Sequence, residues 1–363
     1  MRHLFFIFFI LNLLNVCGQD IDSLKTVATK LPHDTDRVNL FYNEGFSHRT
    51  SNAQYSYDCA RAAENFAQKA SLPLYSAKAS NLLGILYYRK GDLISALSHH
   101  KKALKLRSII NDKKGIAQSQ TNLGNIYSEL GRYKLAETAY LSALDINNEL
   151  NIEKQIDNCL LNLGVLSTEL KMINVAESYF NRALKNSEKR FDYEMQASCL
   201  NNLAVINTIR QNYDAAIANS LNSIKVKNLM DNEMEMADSY LNIAVAYIKK
   251  KEALPALENL KIADSIILKF NYLAAKIQSL KAYSEYYELE HNYEKAFAQL
   301  QLCTILKDSL AKANKKIDEN NFMETSAEEV SEVRSSGGFS VIYFNLMMIV
   351  LILCGLFIFK HKR

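Results

Sequence analysis

The residue types that could support chemistry are few, and their spacing matches no common catalytic or metal site. The chain of 363 residues has seven histidines, of which His99 and His100 are adjacent. Adjacent residues of a helix point about 100° apart, so this pair lacks the i, i+4 spacing of a helical metal site. Phosphate-binding glycine loops, zinc-hydrolase helices, nucleophile elbows and EF-hand loops are not found. The sequence therefore predicts no catalytic residues, no metal site and no cofactor.

The six cysteines are better explained by packing than by reactivity. Cys159, Cys199 and Cys303 stand where alanine or serine recurs at intervals of forty residues along the chain. Buried cysteine behaves as a small apolar side chain. Cys159 and Cys199 would lie on neighbouring helices about 8–10 Å apart, which is too far for an unstrained disulfide. We therefore expect free thiols that fill positions of small size.

A period of forty residues organises the middle of the chain and predicts its fold. Alanine recurs at Ala96, Ala136, Ala176, Ala216, Ala256 and Ala296. A second set of small residues, each preceded by a large apolar one, comprises Gly84, Gly124, Gly164, Ala204, Ala244 and Ser284. Small residues at a fixed phase let helix axes approach closely, and large neighbours fill the remaining gap. The pattern predicts antiparallel helix pairs, one per repeat, stacked into a solenoid.

The repeat resembles the tetratricopeptide repeat, whose pattern places Leu-Gly-x2-Tyr, a glycine, Ala-x3-Phe/Tyr and a final alanine in order. The matching residues are Leu123, Gly124, Tyr127, Gly131, Ala136, Tyr140 and Ala143. The period is 40 rather than the usual 34, as in the extended repeats of kinesin light chain. The resemblance implies an all-α, right-handed α-solenoid of antiparallel helix pairs over residues 37–312, with about seven repeats and a degenerate first one. It also implies that the first helix of each pair lines a concave groove.

The N-terminal end has the pattern of a signal peptide. Arg2 and His3 precede an apolar run that is too short to span a bilayer, and cleavage after Gly18 fits the small-residue rule. A lipoprotein anchored at Cys17 and an uncleaved anchor are the alternatives. We expect a signal peptide at 1–18 and a linker at 19–36.

The C-terminal end has the pattern of a membrane anchor. Residues 339–359 carry no charge, and a helix of that length spans a bilayer core of about 30 Å. The basic tail 360–363 then belongs in the cytoplasm by the positive-inside rule. Residues 313–338 are charged and polar, which indicates a helical stalk and a flexible joint; the stalk could also pair two copies of the chain. The expected location is the bacterial inner membrane, with the bulk of the chain in the periplasm.

Charge argues against a nucleic-acid partner. Four of the 43 Lys and Arg residues lie in the two terminal segments, which leaves 39 against 39 Asp and Glu. Nucleic-acid binders normally carry a basic excess. Most of the locally basic stretch 89–114 is interpreted as a solvated helix face, with a partner-binding role as the alternative. The expected partner is a protein or peptide.

The candidate binding site is a stripe on the predicted first helices. Asn122, Asn162, Asn202 and Asn242 recur forty residues apart, two positions before the glycine phase. Neighbours on the same helix stripe include Gln118, Asn158, Asn125, Glu129 and Glu169. Asparagine offers a donor and an acceptor, which suits an extended peptide backbone, and extended repeats of the kinesin light chain type use asparagine there in this way. The alternative is a structural ladder in which each amide bonds the neighbouring repeat.

These expectations define a membrane-anchored periplasmic scaffold that binds a peptide or protein partner in its groove without catalysis. The order of the segments also resembles the sensory half of bacterial membrane proteins that continue into a cytoplasmic histidine kinase or helix-turn-helix domain. This chain stops four residues after the expected span. A sensor subunit that acts through a separate cytoplasmic kinase or transcription regulator is therefore the alternative, and a decayed fragment of a longer sensor is a third interpretation.

Overall fold

The computed structural model describes residues 21–308, and within that range all regular secondary structure is helical. The expected signal peptide, the stalk at 313–338, the membrane span at 339–359 and the tail at 360–363 lie outside the described residues. Between residues 21 and 308, none of the helices combines the length and the apolar character needed to cross a bilayer.

Fourteen helices have both ends within the described range. In chain order they are α1 Ile21–Thr29, α2 Asp34–Ser47, α3 Ala53–Lys69, α4 Pro73–Lys90, α5 Leu93–Ile109, α6 Lys113–Glu129, α7 Tyr133–Glu149, α8 Glu153–Glu169, α9 Ile173–Arg190, α10 Tyr193–Ile209, α11 Tyr213–Asn228, α12 Glu233–Lys250, α13 Ala253–Phe270 and α14 Leu273–Leu289. A further helical segment, α15, covers 293–308.

The turns between helices repeat every twenty residues, which is half of the sequence period. From residue 71 onward each turn contains one residue with positive φ, and these residues are Ser71, Gly91, Asn111, Gly131, Asn151, Lys171, Phe191, Gln211, Asp231, Lys251, Asn271 and His291. At the end of α6, the amide of Arg132 donates to the carbonyl of Tyr127, the long bond of a Schellman motif. Four of the positive-φ residues, Asn111, Asn151, Asp231 and Asn271, are asparagine or aspartate, which tolerate the left-handed conformation. Phe191 takes the same left-handed conformation, although asparagine or aspartate suits it better.

Consecutive helices pack as antiparallel pairs, and the pairs stack. The pairs are α2 with α3, α4 with α5, α6 with α7, α8 with α9, α10 with α11 and α12 with α13. From α6 through α14, the first helix of each pair also contacts the first helix of the next pair. The second helices of these pairs make no comparable contacts with one another in the described range. Helices on the inner side of a curved stack approach more closely than those on its outer side. The first helices therefore form the inner surface, called here the first-helix surface.

The small residues of the forty-residue period lie where helices touch. All six alanines from Ala96 to Ala296 are buried. A Cβ atom added to Gly124 would lie 2.5 Å from Cε1 of Tyr140 on the paired helix. Gly84 and His100, and likewise Gly164 and Phe180, make the same close contact. Each of these glycines thus makes room for an aromatic ring. Where alanine replaces the glycine, at Ala204 and Ala244, the residues sixteen positions later are Ser220 and Leu260, which carry no ring.

The segment expected to be a linker, 19–36, contains a helix. Within it α1 packs against α2 and α3, and its Leu24 and Ala28 are buried. The apolar spacing of those two residues, four positions apart, gives α1 a narrow core-facing stripe. A single short stripe of this kind falls outside the forty-residue pattern, which explains why the pattern did not reveal it.

Candidate functional site

The four recurrent asparagines occupy equivalent positions on consecutive first helices. Asn122 lies on α6, Asn162 on α8, Asn202 on α10 and Asn242 on α12, and all four are partly buried. The helical register that buries the leucine beside each asparagine, such as Leu123 and Leu163, leaves the amide at the edge of the first-helix surface. The helical register thus brings these side chains to one surface.

Three of the four amides bridge to the preceding repeat. The Nδ2 group of Asn122 donates to Oδ1 of Asn81 at 3.0 Å. That of Asn162 donates to Oδ1 of Asn125 at 3.3 Å, and that of Asn242 to the carbonyl oxygen of residue 201 at 3.4 Å. Asn202 instead donates to the carbonyl of Ser198 in its own helix, at 2.9 Å. A ladder therefore exists for the donors, while the Oδ1 atoms of these four residues accept no hydrogen bond from the described residues.

The neighbouring stripe residues divide between structural and open positions. Asn125 is structural, because its Oδ1 also accepts from the Tyr140 hydroxyl at 2.8 Å. Gln118 is exposed and accepts from Arg107 at 3.1 Å. Asn158 donates to Gln155 on its own helix, at 3.4 Å. Glu129 and Glu169 are both exposed on the first-helix surface, and Glu129 accepts from the Tyr88 hydroxyl.

A cavity of about 410 Å³ opens on this surface between the first helices α8, α10, α12 and α14. Its lining combines amides, hydroxyls, apolar side chains and charges: Leu161, Asn162, Val165, Ser198, Asn201, Asn202, Val205, Lys227, Met234, Glu235, Asp238, Asn242, Tyr272 and Gln278. Three of the four recurrent asparagines therefore meet in one cavity. Asn122 lies outside its lining.

The cavity contains a buried cation that the sequence analysis did not identify. Lys227, from the second helix α11, is 2% exposed. Its ammonium donates to the carbonyl of Glu235 at 2.6 Å and to the Ser239 hydroxyl at 3.1 Å. Desolvation lowers the pKa of Lys227, against the attraction of Asp238 and Glu235. Lys227 thus ties a second helix to the first turns of the next first helix.

Asp238 and Tyr272 form a second polar pair in the same cavity. The Tyr272 hydroxyl donates to Oδ2 of Asp238 at 3.1 Å across the repeat boundary. Desolvation raises the pKa of Asp238, and the positive charge of Lys227 opposes that shift. The forty-residue pattern gave no signal for this pair, because neither position carries a constant residue type in the other repeats.

Arg107 is an exception within the basic stretch 89–114, most of which was expected to be a solvated face. It is 4% exposed and donates to the carbonyl of Gly115 and the hydroxyl of Ser119, both at 2.8 Å. The stretch 89–114 therefore holds at least one cation that stabilises the junction between repeats. The exposed positions of α5, such as Lys101 and Lys105, agree with the predicted solvated face.

The cysteines of the described range and His100 are packing residues. Cys59, Cys159, Cys199 and Cys303 are buried free thiols. Burial raises the pKa of Cys199 to about 12, which keeps the thiol in its poorly nucleophilic form. His100 takes the place that Tyr140 and Phe180 fill in the next repeats. Within residues 21–308, no three His, Cys, Asp or Glu residues converge as a metal site would require.

Comparisons with known proteins agree with the repeat reading of the sequence. Residues 75–149 match the family model described as tetratricopeptide repeat. A comparison with curated proteins finds no match.

Several solved structures share the fold. The apo form of RapI superposes with a TM-score of 0.65 at 17% identity, covering 76% of this chain and 99% of RapI. A Rap protein complexed with competence and sporulation factor gives 0.63 at 19% identity, covering 80% of each chain. The Rap conjugation gene regulator of plasmid pLS20, in complex with the Phr* peptide, gives 0.54 at 14% identity, covering 78% of this chain and 98% of the regulator. At these identities the similarity establishes the fold, an α-solenoid of tetratricopeptide repeats.

Proposed function

We propose that this tetratricopeptide repeat protein is a scaffold without catalytic activity that binds an extended peptide, or an extended segment of a partner protein, along its first-helix surface. The observation that carries the proposal is the cavity of about 410 Å³, in which Asn162, Asn202 and Asn242 meet on three consecutive first helices. A row of amides at a regular interval matches the regular donors and acceptors of a peptide backbone.

The hydrogen bonds of the asparagines leave them suited to this task. Their Nδ2 groups are held by the preceding repeat or by their own helix, which fixes the side-chain rotamers. Their Oδ1 atoms remain available to accept from peptide N–H groups. Side chains fixed before binding lose less conformational entropy when a ligand arrives, which favours affinity.

The comparisons support a peptide ligand by analogy of fold. One of the similar solved structures holds the Phr* peptide, and another is a complex with competence and sporulation factor. Both superpose over more than three quarters of this chain. Proteins of one fold can have different functions. The cavity is therefore the main support for peptide binding, and the similar complexes are additional support.

The proposed location is the periplasmic side of a bacterial inner membrane. The support is the sequence pattern at both ends, a signal-peptide pattern at 1–18 and an uncharged run at 339–359 followed by a basic tail. A scaffold in this position would hold its partner close to the membrane surface. The same arrangement would serve a sensor subunit that passes ligand occupancy to a cytoplasmic effector.

Photo-crosslinking in living cells tests the proposed binding surface. Benzoyl-phenylalanine is placed at Val205, which lines the cavity and is 37% exposed, or at Leu221 on the second helix α11, which is 46% exposed. We expect a discrete crosslinked product from position 205 and none from position 221. Identical products from both positions, or none from position 205, would contradict a partner bound on the first-helix surface. Mass spectrometry of the product identifies the partner.

A further inference from the structure

The carboxylate of Asp238 has acceptor capacity that the protein does not use. Its Oδ2 accepts one hydrogen bond from Tyr272, while its Oδ1 is buried and has no hydrogen-bond partner in the described part of the chain. An ionised carboxylate offers about four acceptor sites. A carboxylate oxygen that is buried without a donor is unfavourable unless a positive or donating group pairs with it. A ligand that carries a hydrogen-bond donor would supply the missing partner of Oδ1, and this unfilled position is called here the gap.

Comparison with the other repeats shows that this gap is peculiar to one position. The equivalent positions forty residues apart are Lys78, Gln118, Asn158, Ser198, Asp238 and Gln278, and Asp238 alone among them is acidic. Gln118 is satisfied because the longer Arg107 side chain reaches it at 3.1 Å. Lys227 is the equivalent of Arg107, but its ammonium is held by Glu235 and Ser239 and makes no hydrogen bond to Asp238.

The other residues that line the cavity indicate the shape and charge of the ligand group. Val165, Val205 and Met234 line it and are each more than a third exposed, so they offer apolar contact to an incoming chain. The charged lining residues are Lys227, Glu235 and Asp238, which sum to a formal charge of −1. A group with an apolar stem and a single positive charge complements this lining in both shape and charge.

Two further acidic residues lie on the same helix stripe as the asparagines. Glu129 and Glu169 are exposed on the first helices α6 and α8, on the side of the cavity nearer the N-terminus. On the other side, Lys249 is neutralised by Glu285 at 2.9 Å. An acidic approach path attracts a basic ligand and disfavours an acidic one.

We infer that the cavity binds a lysine or arginine side chain of the partner peptide, with the cation donating to Asp238 and the stem packed on Val165 and Val205. The inference rests on the proposed function, because it specifies which residue of the peptide the groove selects. The asparagine row would hold the backbone, and Asp238 would set the register by admitting a basic residue at one position.

Selection from random heptapeptides displayed on phage tests the inference. The bait is the full-length chain, and parallel selections use Asp238→Asn and Asp214→Asn. Asparagine keeps the shape of Asp238 and can still accept from Tyr272. Asp214 is the matched control, because its carboxylate is 88% exposed on the second helix α11 and pairs there with Lys250. Helicity and melting of each variant confirm that it is folded.

We expect peptides selected on the wild type and on Asp214→Asn to share a fixed lysine or arginine, and those selected on Asp238→Asn to lack it. In a synthetic peptide, norleucine in place of that lysine should weaken binding to the wild type by about tenfold and leave binding to Asp238→Asn nearly unchanged. Selected peptides without a fixed basic residue, or with one that persists on Asp238→Asn, would overturn this inference and leave the proposed groove intact. A selection that enriches no peptide on the wild type would overturn both.

Discussion

Arg107 and Lys227 stand at the same place in repeats that are three periods apart, and they make the same two contacts. Each donates to the backbone carbonyl eight residues later, that of Gly115 or Glu235, and to the serine hydroxyl twelve residues later, Ser119 or Ser239. Both are almost completely buried. A buried cation held by a carbonyl and a hydroxyl thus replaces apolar packing at two junctions between repeats.

Replacing either cation by methionine should lower stability, because the buried serine hydroxyl, Ser119 or Ser239, loses the hydrogen bond from the cation. Unsatisfied buried groups cost about 1–3 kcal/mol each. Urea unfolding of Arg107→Met and Lys227→Met measures the loss. Arg89→Met is the control, since Arg89 is exposed and should change stability by no more than about 0.5 kcal/mol. Stability equal to the control would mean that these cations do not stabilise the junctions.

The forty-residue period predicts the fold well because packing between helices depends on residue size, which repeats. Ala136, Gly124 and their equivalents are small in every repeat, so the pattern is visible in one sequence. The buried cations are not visible in this way. The position of Arg107 and Lys227 holds asparagine, serine, isoleucine and, at the exposed Lys307, lysine in the other repeats, so the residue type at this position is not constant. The asparagine positions were predicted from the sequence. The charged residues of the cavity, such as Lys227 and Asp238, could be recognised only from the three-dimensional contacts.

Gly124→Ala should destabilise the chain by about 1–3 kcal/mol, the usual cost of overpacking. The new Cβ atom would lie 2.5 Å from the ring of Tyr140, so that ring would have to move. Thermal unfolding measures the effect. The double variant Gly124→Ala with Tyr140→Leu reproduces the Ala244 and Leu260 combination of a later repeat and should be more stable than the sum of the two single changes predicts. Strict additivity would contradict a direct contact between the two sites.

Arg190→Ala should cost more stability than Asp157→Ala, although both break the same ion pair. Asp157 is fully buried, accepts from Asn186 at 2.8 Å and pairs with Arg190. Removing the arginine leaves a buried carboxylate without its cation, which costs about 3–5 kcal/mol. Asp157→Ala introduces the residue found at the equivalent position of the next repeat, Ala197. Arg190, whose side chain is 24% exposed, can then be solvated by water. Urea unfolding of the two variants gives the order, and the reverse order would contradict the argument.

Stability should fall as the pH drops from 7 to 5, partly because of His100. Burial, with His99 and Arg107 nearby, lowers the pKa of His100 to about 3. The unfolded chain takes up this proton near pH 6.5 and the folded chain does not, so the contribution is complete above that pH and is lost as pH falls. The loss at pH 5 is about 2 kcal/mol. His100→Phe, which copies Phe180, removes this part; an equal pH dependence in wild type and variant would contradict it.

The two roles of the asparagines can be separated by two single substitutions. Asn162 bonds Asn125 of the preceding repeat at 3.3 Å, so Asn162→Ala should lower both stability and peptide binding. Asn202 bonds only the carbonyl of Ser198 in its own helix, at 2.9 Å, and that carbonyl lies within the helical hydrogen-bond ladder. Asn202→Ala should therefore change stability by no more than about 0.5 kcal/mol while weakening binding of the photo-crosslinked partner. Circular dichroism melting and titration with the identified partner segment measure the two quantities. If Asn202→Ala binds the segment as tightly as the wild type, the asparagines serve the ladder alone and the peptide backbone is held by other groups of the cavity.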